Sequence, residues 1–210
     1  MSKKRGILLS FEGVEGTGKS TQTRRLCKYL KNKGIKYTVL REPGSSVLGE
    51  QIRHILLYSK GKLSNFAETL LFIAARDQLR RQKIDAALEE KDVVILDRYA
   101  DATIAYQGYG SGVDLKLIRE LNKIAMGAAI PDVTILFDID PGIGLVRSGR
   151  NDRFEKRKLA FHERVRQGYL RIAKENPKRI KIINAKEDVV CVQDKVRVIL
   201  LNALKSTKSR

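Results

Sequence analysis

Apolar residues gather in five short runs along the chain: ILLSF at 7–11, YTVL at 37–40, VVIL at 93–96, VTILF at 133–137 and IKII at 180–183. Their apolarity is continuous rather than alternating, which fits strands buried on both faces of a sheet. Between them the apolar positions recur at helical spacing. Thr21 to Lys33 reads as a helix stopped by Gly34, and Leu48 to Tyr58 as one with apolar Ile52, Ile55 and Leu56 at helical spacing. Asn65 to Glu90 reads as one long helix with Phe66, Leu70, Ile73 and Leu79 on or near one stripe. Asp114 to Met126, Lys156 to Lys174 and Val189 to Leu204 complete the set. Strand and helix alternate throughout, so the pattern predicts an α/β fold with a doubly wound parallel sheet and right-handed crossovers. No linker or repeat interrupts it. The expectation is a single domain over 1–205, followed by a disordered tail at 206–210.

Composition narrows the class. The chain has 210 residues, 42% of them hydrophobic and 31% charged, enough for one globular domain with a sizeable core. No apolar run approaches the roughly 20 residues of a membrane-spanning helix, and MSKKRG leads almost directly into the first strand without a signal-peptide pattern. The expected location is therefore the cytoplasm, with no membrane partner. Cys27 and Cys191 are too few and too scattered for a disulfide framework or zinc site, and are expected to be small buried hydrophobes.

The net charge of +18 does change the picture. Half of the excess lies between Arg147 and Lys181, where thirteen Lys or Arg meet four Asp or Glu. Such a stripe tracks nucleic acid, holds polyphosphate, or is a solvated helix face. No helix-turn-helix, zinc-finger or RNA-recognition signature accompanies it, so no specific nucleic-acid partner is expected.

The chemistry begins after the first strand. Gly13-Val14-Glu15-Gly16-Thr17-Gly18-Lys19-Ser20 fits G-x-x-x-x-G-K-[ST], with Thr21 following. Glycines at this spacing let backbone N–H groups turn towards phosphate oxygens, and the next helix adds its positive end. Lys19 supplies a mobile charge for the β- and γ-phosphates, and the Ser20 hydroxyl a Mg2+ ligand. VVILD places Asp97 at the carboxyl end of another strand, where it holds Mg2+ or caps a helix. Asp138 and Asp140, beside Pro141, read as turn formers. Arg98 next to Asp97 needs an anionic partner if half-buried, which points to a second phosphate-bearing substrate. REPG at 41–44 reaches the same sheet edge. Phe72 and Arg76, four apart on the long helix, share a face suited to stacking on a base and bonding its edge. His54 and His162 lack metal-ligand company and read as ordinary helix-surface residues.

Taken together, FEGVEGTGKST, REPGSSVLGEQIR, FIAARDQ, DRYADATIAYQG, and GRNDRFE followed by FHERVRQGYL resemble the thymidylate kinases, in family order from Phe11 to Leu170. The resemblance implies a P-loop NTPase-type sheet of five parallel strands with a short lid at about 147–157. It also implies a homodimer that transfers the γ-phosphoryl of ATP to dTMP. Carried over, Phe72 would stack on thymine and Arg76 would bond the base edge, with Thr103 and Gln107 nearby. Tyr106 would crowd the site of a ribose 2′-hydroxyl, and Glu15 would meet the 3′-hydroxyl. Arg98 would grip the acceptor phosphate, helped by Arg53.

Two departures carry information. One subgroup places an arginine in the P-loop where this chain has Gly16; the other, typical of bacteria, supplies arginine from the lid, and here Arg147, Arg150 and Arg153 are available. Phosphoryl transfer needs positive charge over the migrating group, and a closing lid can deliver it. Arg153 in GRNDRFE is the expected transition-state group. Asp152 and Glu155 beside it hold the lid arginines, approach the metal, or pair along a helix start. The second departure is Ser45, where glycine is usual. A kinase for another monophosphate and a nucleic-acid-binding ATPase are the rival readings; a GTP switch lacks N-K-x-D.

Overall fold

The computed structural model describes residues 5–149 and 152–208. Five parallel strands form one sheet in the order β2-β3-β1-β4-β5: β1 (Ile7–Glu12), β2 (Tyr37–Arg41), β3 (Val93–Asp97), β4 (Val133–Asp138) and β5 (Ile180–Asn184). Each strand lies within two residues of its apolar run. Every residue of β1 is buried, as the continuous pattern requires, and Phe11 meets Phe137 edge to face at 5.2 Å. The edge strands are different. Val39 on β2 and Ile182 on β5 are 40% and 51% exposed, because an edge strand has a neighbour on one side only.

Helices α1 (Lys19–Asn32), α2 (Val47–Tyr58), α3 (Asn65–Leu79), α4 (Asp85–Glu90), α5 (Ala100–Thr103), α6 (Leu115–Met126), α7 (Pro141–Ser148), α8 (Leu159–Glu175) and α9 (Val189–Lys208) fill the connections. The expected long helix is three pieces: α3, a π-helical turn over Arg80–Ile84, and α4. Its orientation also departs from the expected stripe. Phe66 and Leu70 are exposed, while Glu68, Thr69, Ala75, Arg76 and Leu79 are buried. The polar members of that face have partners inside; of the expected stripe, Phe66 and Leu70 look outward while Leu79 stays in the core.

Two helical segments have no strong apolar period in the sequence. One runs from α5 into a second π-helical stretch over Ile104–Gly110. The other is α7, where Asp140 accepts from the Gly142 and Ile143 amides at 2.9 and 3.3 Å and Pro141 takes the first turn. The turn expected at Asp140 is thus a helix cap. Asp138 instead accepts from Arg166 Nε and Nη2, at 2.7 and 2.8 Å. At the other end, α9 continues to Lys208, three residues into the expected tail, with the Ser206 hydroxyl donating to the Asn202 carbonyl at 3.0 Å. Cys27 is half-buried and Cys191 exposed; α9 turns Val192, Val196 and Leu200 inward and leaves Cys191 outside.

Candidate active site

Parallel registers bring the strand ends to one edge: Phe11 faces Asp97, Arg41 faces Asp97, and Asp138 faces Asn184. In open α/β sheets ligands gather at this edge. The loop after β1 runs through Gly13 to Gly18 into α1, with Gly16 at φ 66°. A Cβ there would stand 1.8 Å from the Gly144 carbonyl oxygen of α7, and one on Gly144 would stand 2.4 Å from the Glu15 carbonyl. Backbone thus packs on backbone between the loop and α7, and only glycine fits at 16.

Lys19 bends back over this loop, donating to the Gly13 and Val14 carbonyls at 3.0 and 2.8 Å and to the Thr17 hydroxyl at 3.1 Å. Burial, with the Arg98 charge beside it, brings its ammonium down to about 7, against the pull of Asp97, Glu15 and Glu12. Residues Glu15 to Gln22 line an open cleft together with Arg41, Asp97, Arg98, Arg147 and the loop that leads into α9. Ser20 and Asp97 both face it.

Arg98 occupies the boundary between this cleft and a second pocket. Its backbone has φ 68°, a region costly for a long side chain, and its amide is held by the Phe11 carbonyl at 3.0 Å. The guanidinium donates to the Gly13 carbonyl at 2.9 Å, to Glu15 at 3.0 Å and to the Tyr169 hydroxyl at 3.2 Å. Burial works against its charge, but Tyr106, Tyr169, Glu15 and Glu12 outweigh burial and raise its pKa. Glu15 in turn accepts from the Tyr106 hydroxyl at 2.6 Å. Burial would raise the Glu15 carboxyl, yet Arg98, His162, Tyr106 and Lys19 hold it well below the usual carboxylate range.

The second pocket is lined by Phe72, Arg76, Arg98, Thr103, Tyr106 and Gln107, with Arg53, Asp152 and Phe154 at its rim. All the residues expected around the acceptor therefore meet in one place, with one qualification from chemistry. Arg76 is fully buried and bonds Glu42, Asn122, Thr103 at 2.8 Å and the Tyr99 carbonyl at 3.3 Å. It is a floor clamp as much as a base reader; Nη1 carries two hydrogens and bonds only Asn122 among the described residues. Ser45 adopts φ 58°, the conformation glycine would take, and its hydroxyl accepts the Arg41 amide at 2.9 Å. Arg53 donates to the Pro43 carbonyl at 3.1 Å at the same rim.

The lid departs most from expectation. Arg153 points away from the phosphate cleft: it donates to buried Glu68 at 2.6 Å and to the Leu56 carbonyl at 2.9 Å. Arg157 joins it on Glu68 at 2.8 Å, and Gln107 adds a third donor at 2.9 Å. A carboxylate buried on α3 requires such cations. Phe154 follows Arg153 into the pocket, against Phe72 at 5.9 Å and Tyr106 at 6.2 Å. Of the three lid arginines, Arg147 lines the cleft, donating to the Ala185 carbonyl at 3.3 Å. Arg150 lies outside the described residues. Asp152 caps the turn, accepting the Phe154 and Glu155 amides at 2.9 and 3.1 Å, while Glu155 takes the Ser148 hydroxyl.

In the basic stretch beyond Arg147, five arginines have partners within the chain, while Lys156, Lys158, Arg171, Lys174 and Lys178 are exposed. Arg153 and Arg157 serve Glu68, Arg164 the Gly110 carbonyl, Arg166 Asp138, and Arg179 Asp101.

Several site residues were not singled out in the sequence. Glu12, buried under the loop, accepts the Tyr99 amide at 2.7 Å, the Ser10 hydroxyl at 3.0 Å and the Tyr169 hydroxyl at 2.9 Å. Burial and Asp101 push it up to about 8, against Arg98, Tyr169 and Tyr99. A glutamate closing an apolar run was the available signal. Glu68 and Arg157 left only ordinary helix and lid charges. His162 is fully buried rather than a surface residue, because α8 turns it towards Glu15.

A thymidylate kinase family model matches residues 11–196, nearly the whole span of these elements. The chain belongs to the thymidylate kinase family. It is 44% identical over 191 residues to a thymidylate kinase of Chlorobaculum tepidum, covering 85% of this chain and 89% of that one. A thymidylate kinase of Kosmotoga olearia is 40% identical over 202 residues, covering 95% and 97%. The crystal structure of thymidylate kinase from Ehrlichia chaffeensis superposes with a TM-score of 0.77 at 35% identity, over 94% of this chain and 99% of that chain. Such a likeness extends the family's fold over strands, cleft and pocket alike, and the expected five-stranded α/β architecture holds.

Proposed function

We propose that the chain is an ATP:dTMP phosphotransferase, moving the γ-phosphoryl of ATP onto dTMP to give dTDP. Family membership supports the reaction. The observation that carries the residue roles is Arg98, a guanidinium at the boundary between the phosphate loop and an aromatic pocket. In this reading the triphosphate lies along Gly13 to Thr21, and dTMP enters between Phe72 and Tyr106 once Phe154 withdraws. Arg98 exchanges Glu15 for the acceptor phosphate, and the uncommitted Nη1 hydrogen of Arg76, with Gln107 and Thr103, meets the base edge.

No general base is needed, because the attacking phosphate oxygen is already ionised. Rate comes from alignment and from charge placed over the migrating group by Lys19, Arg98 and Arg147. Ser20 and Asp97 fit a magnesium ion: both are oxygen donors on the cleft, and no cluster of three His, Cys, Asp or Glu occurs among the described residues. These two residues would hold Mg2+ alongside water and phosphate ligands, and it would supply positive charge that offsets the phosphates.

The same reading takes residues 1–205 as one catalytic domain that works as a homodimer. Its support is an apolar surface on two neighbouring helices, with Val47, Leu48 and Ile55 exposed on α2 and Phe66 and Leu70 on α3. A cytoplasmic setting accords with the unpaired, exposed Cys191. No helix among the described residues is long and apolar enough to cross a membrane.

The test is ADP release with ATP and each monophosphate in turn. dTMP should far outperform AMP, GMP and CMP; equal turnover with any of these overturns the assignment.

A further inference from the structure

His162 has no role in the reading above, yet its surroundings are unusual. The ring lies on α8 with no exposed surface, edge to face with Phe161 at 5.3 Å. Neither ring nitrogen has a hydrogen-bond partner among the described residues. Nδ1 stands 3.5 Å from Glu15 Oε2, and that oxygen is itself buried and unpartnered. Two buried polar atoms, one able to donate and the other only to accept, thus face each other a few tenths of an ångström beyond the usual hydrogen-bond range. Glu15 is held off by its other oxygen, which is shared between Arg98 and the Tyr106 hydroxyl.

That arrangement has a consequence when the acceptor arrives. On the reading above, Arg98 exchanges Glu15 for the acceptor's phosphate, and Glu15 then loses the guanidinium that holds it at 3.0 Å. We propose that His162 is the positioning residue for Glu15, its Nδ1–H closing on Oε2 as Arg98 turns to the acceptor's phosphate. The imidazole keeps the carboxylate in place after the exchange, so Arg98 is released without Glu15 swinging towards the phosphates. A neutral ring suffices, with its proton on Nδ1. This inference rests on the dTMP kinase reading, and wild-type binding of dTMP is the control that separates the two failures.

The test compares His162→Leu, which removes the donor, with His162→Asn, whose amide can place an N–H near the Nδ1 position. Binding of dTMP and of ATP is measured by calorimetry, each alone, with melting curves to check folding. His162→Leu should weaken dTMP about tenfold, the worth of one charge-assisted hydrogen bond, and leave ATP binding unchanged. His162→Asn should stay within about threefold of wild type, because the donor is kept. Wild-type dTMP affinity in His162→Leu overturns the proposal, as does an equal loss in both variants. Should His162→Leu not fold, nitrogen NMR of the wild type decides instead. The chain has two histidines, so substituting His54 assigns the spectrum. Adding dTMP should move the His162 Nδ1 resonance in the direction of a donating N–H, and an unmoved resonance overturns the proposal.

Discussion

Replacing Arg147 and Arg153 separately with alanine tests the proposal that Arg147 acts on the migrating phosphoryl while Arg153 ties down the segment around it. Arg147 lines the phosphate cleft and donates to the Ala185 carbonyl at 3.3 Å. A transition-state arginine is worth about 10³ to 10⁵ in rate. Here Lys19 and Arg98 share the cleft, and groups acting together are not additive, so Arg147→Ala should lower the single-turnover rate about 10²-fold. Arg153 has different work. Its loss removes the 2.6 Å bond to Glu68 and the 2.9 Å bond to the Leu56 carbonyl, while Arg157 and Gln107 remain on Glu68. Bonds to charged groups contribute about 1.5–3 kcal/mol, but Arg153 is 22% exposed and its partner keeps other donors. A cost of about 1–2 kcal/mol remains, a fall in Tm of roughly 2–8 °C for a domain this size. Its single-turnover rate should drop less than about tenfold, since no transition-state contact is lost. Rapid-quench kinetics at saturating ATP and dTMP, alongside melting curves, give both quantities. If Arg153→Ala loses more rate than Arg147→Ala, the Glu68 pairing breaks during turnover and the assignment of the two arginines is reversed.

Two further outcomes follow from buried charges. A triphosphate favours charged Lys19, which in the free chain titrates at about 7, so ATP binding is strongest below that pH and takes up a proton above it. Calorimetry at about pH 8 in buffers of different ionisation enthalpy should show that uptake, and none at all would contradict the burial argument. Glu12, raised to about 8, stabilises the fold most below its ordinary 4.5 and loses that contribution as pH rises through 8. Glu12→Gln should therefore fold well at neutral pH and show a flatter decline of Tm across that window than wild type; an unchanged slope refutes it.

The fold was legible because its signals are local. Continuous apolarity marked β1, β3 and β4, and the glycine spacing marked the loop that β1 feeds. Helix faces were less legible, because a sequence shows which positions are apolar but not which side the core lies on. Glu68 and Arg76 sit on the inner face of α3 only because Arg157, Gln107, Glu42 and Asn122 come to them from distant segments. The same reason hid the destination of Arg153: its partner stands 85 positions away, on an element that looked apolar-side in. α7 was missed because Asp138 and Asp140 beside Pro141 read as turn formers, whereas Asp140 caps a helix.

The contact between Gly16 and Gly144 also constrains how such enzymes diverge. An arginine at 16 has no room while the Gly144 carbonyl occupies the place of its first side-chain carbon. To make room, the segment from β4 into α7 must be rebuilt, and that segment also carries Arg147 into the cleft. Loop and cleft wall are thus tied: a side chain at 16 displaces α7, and α7 in moving takes Arg147 with it.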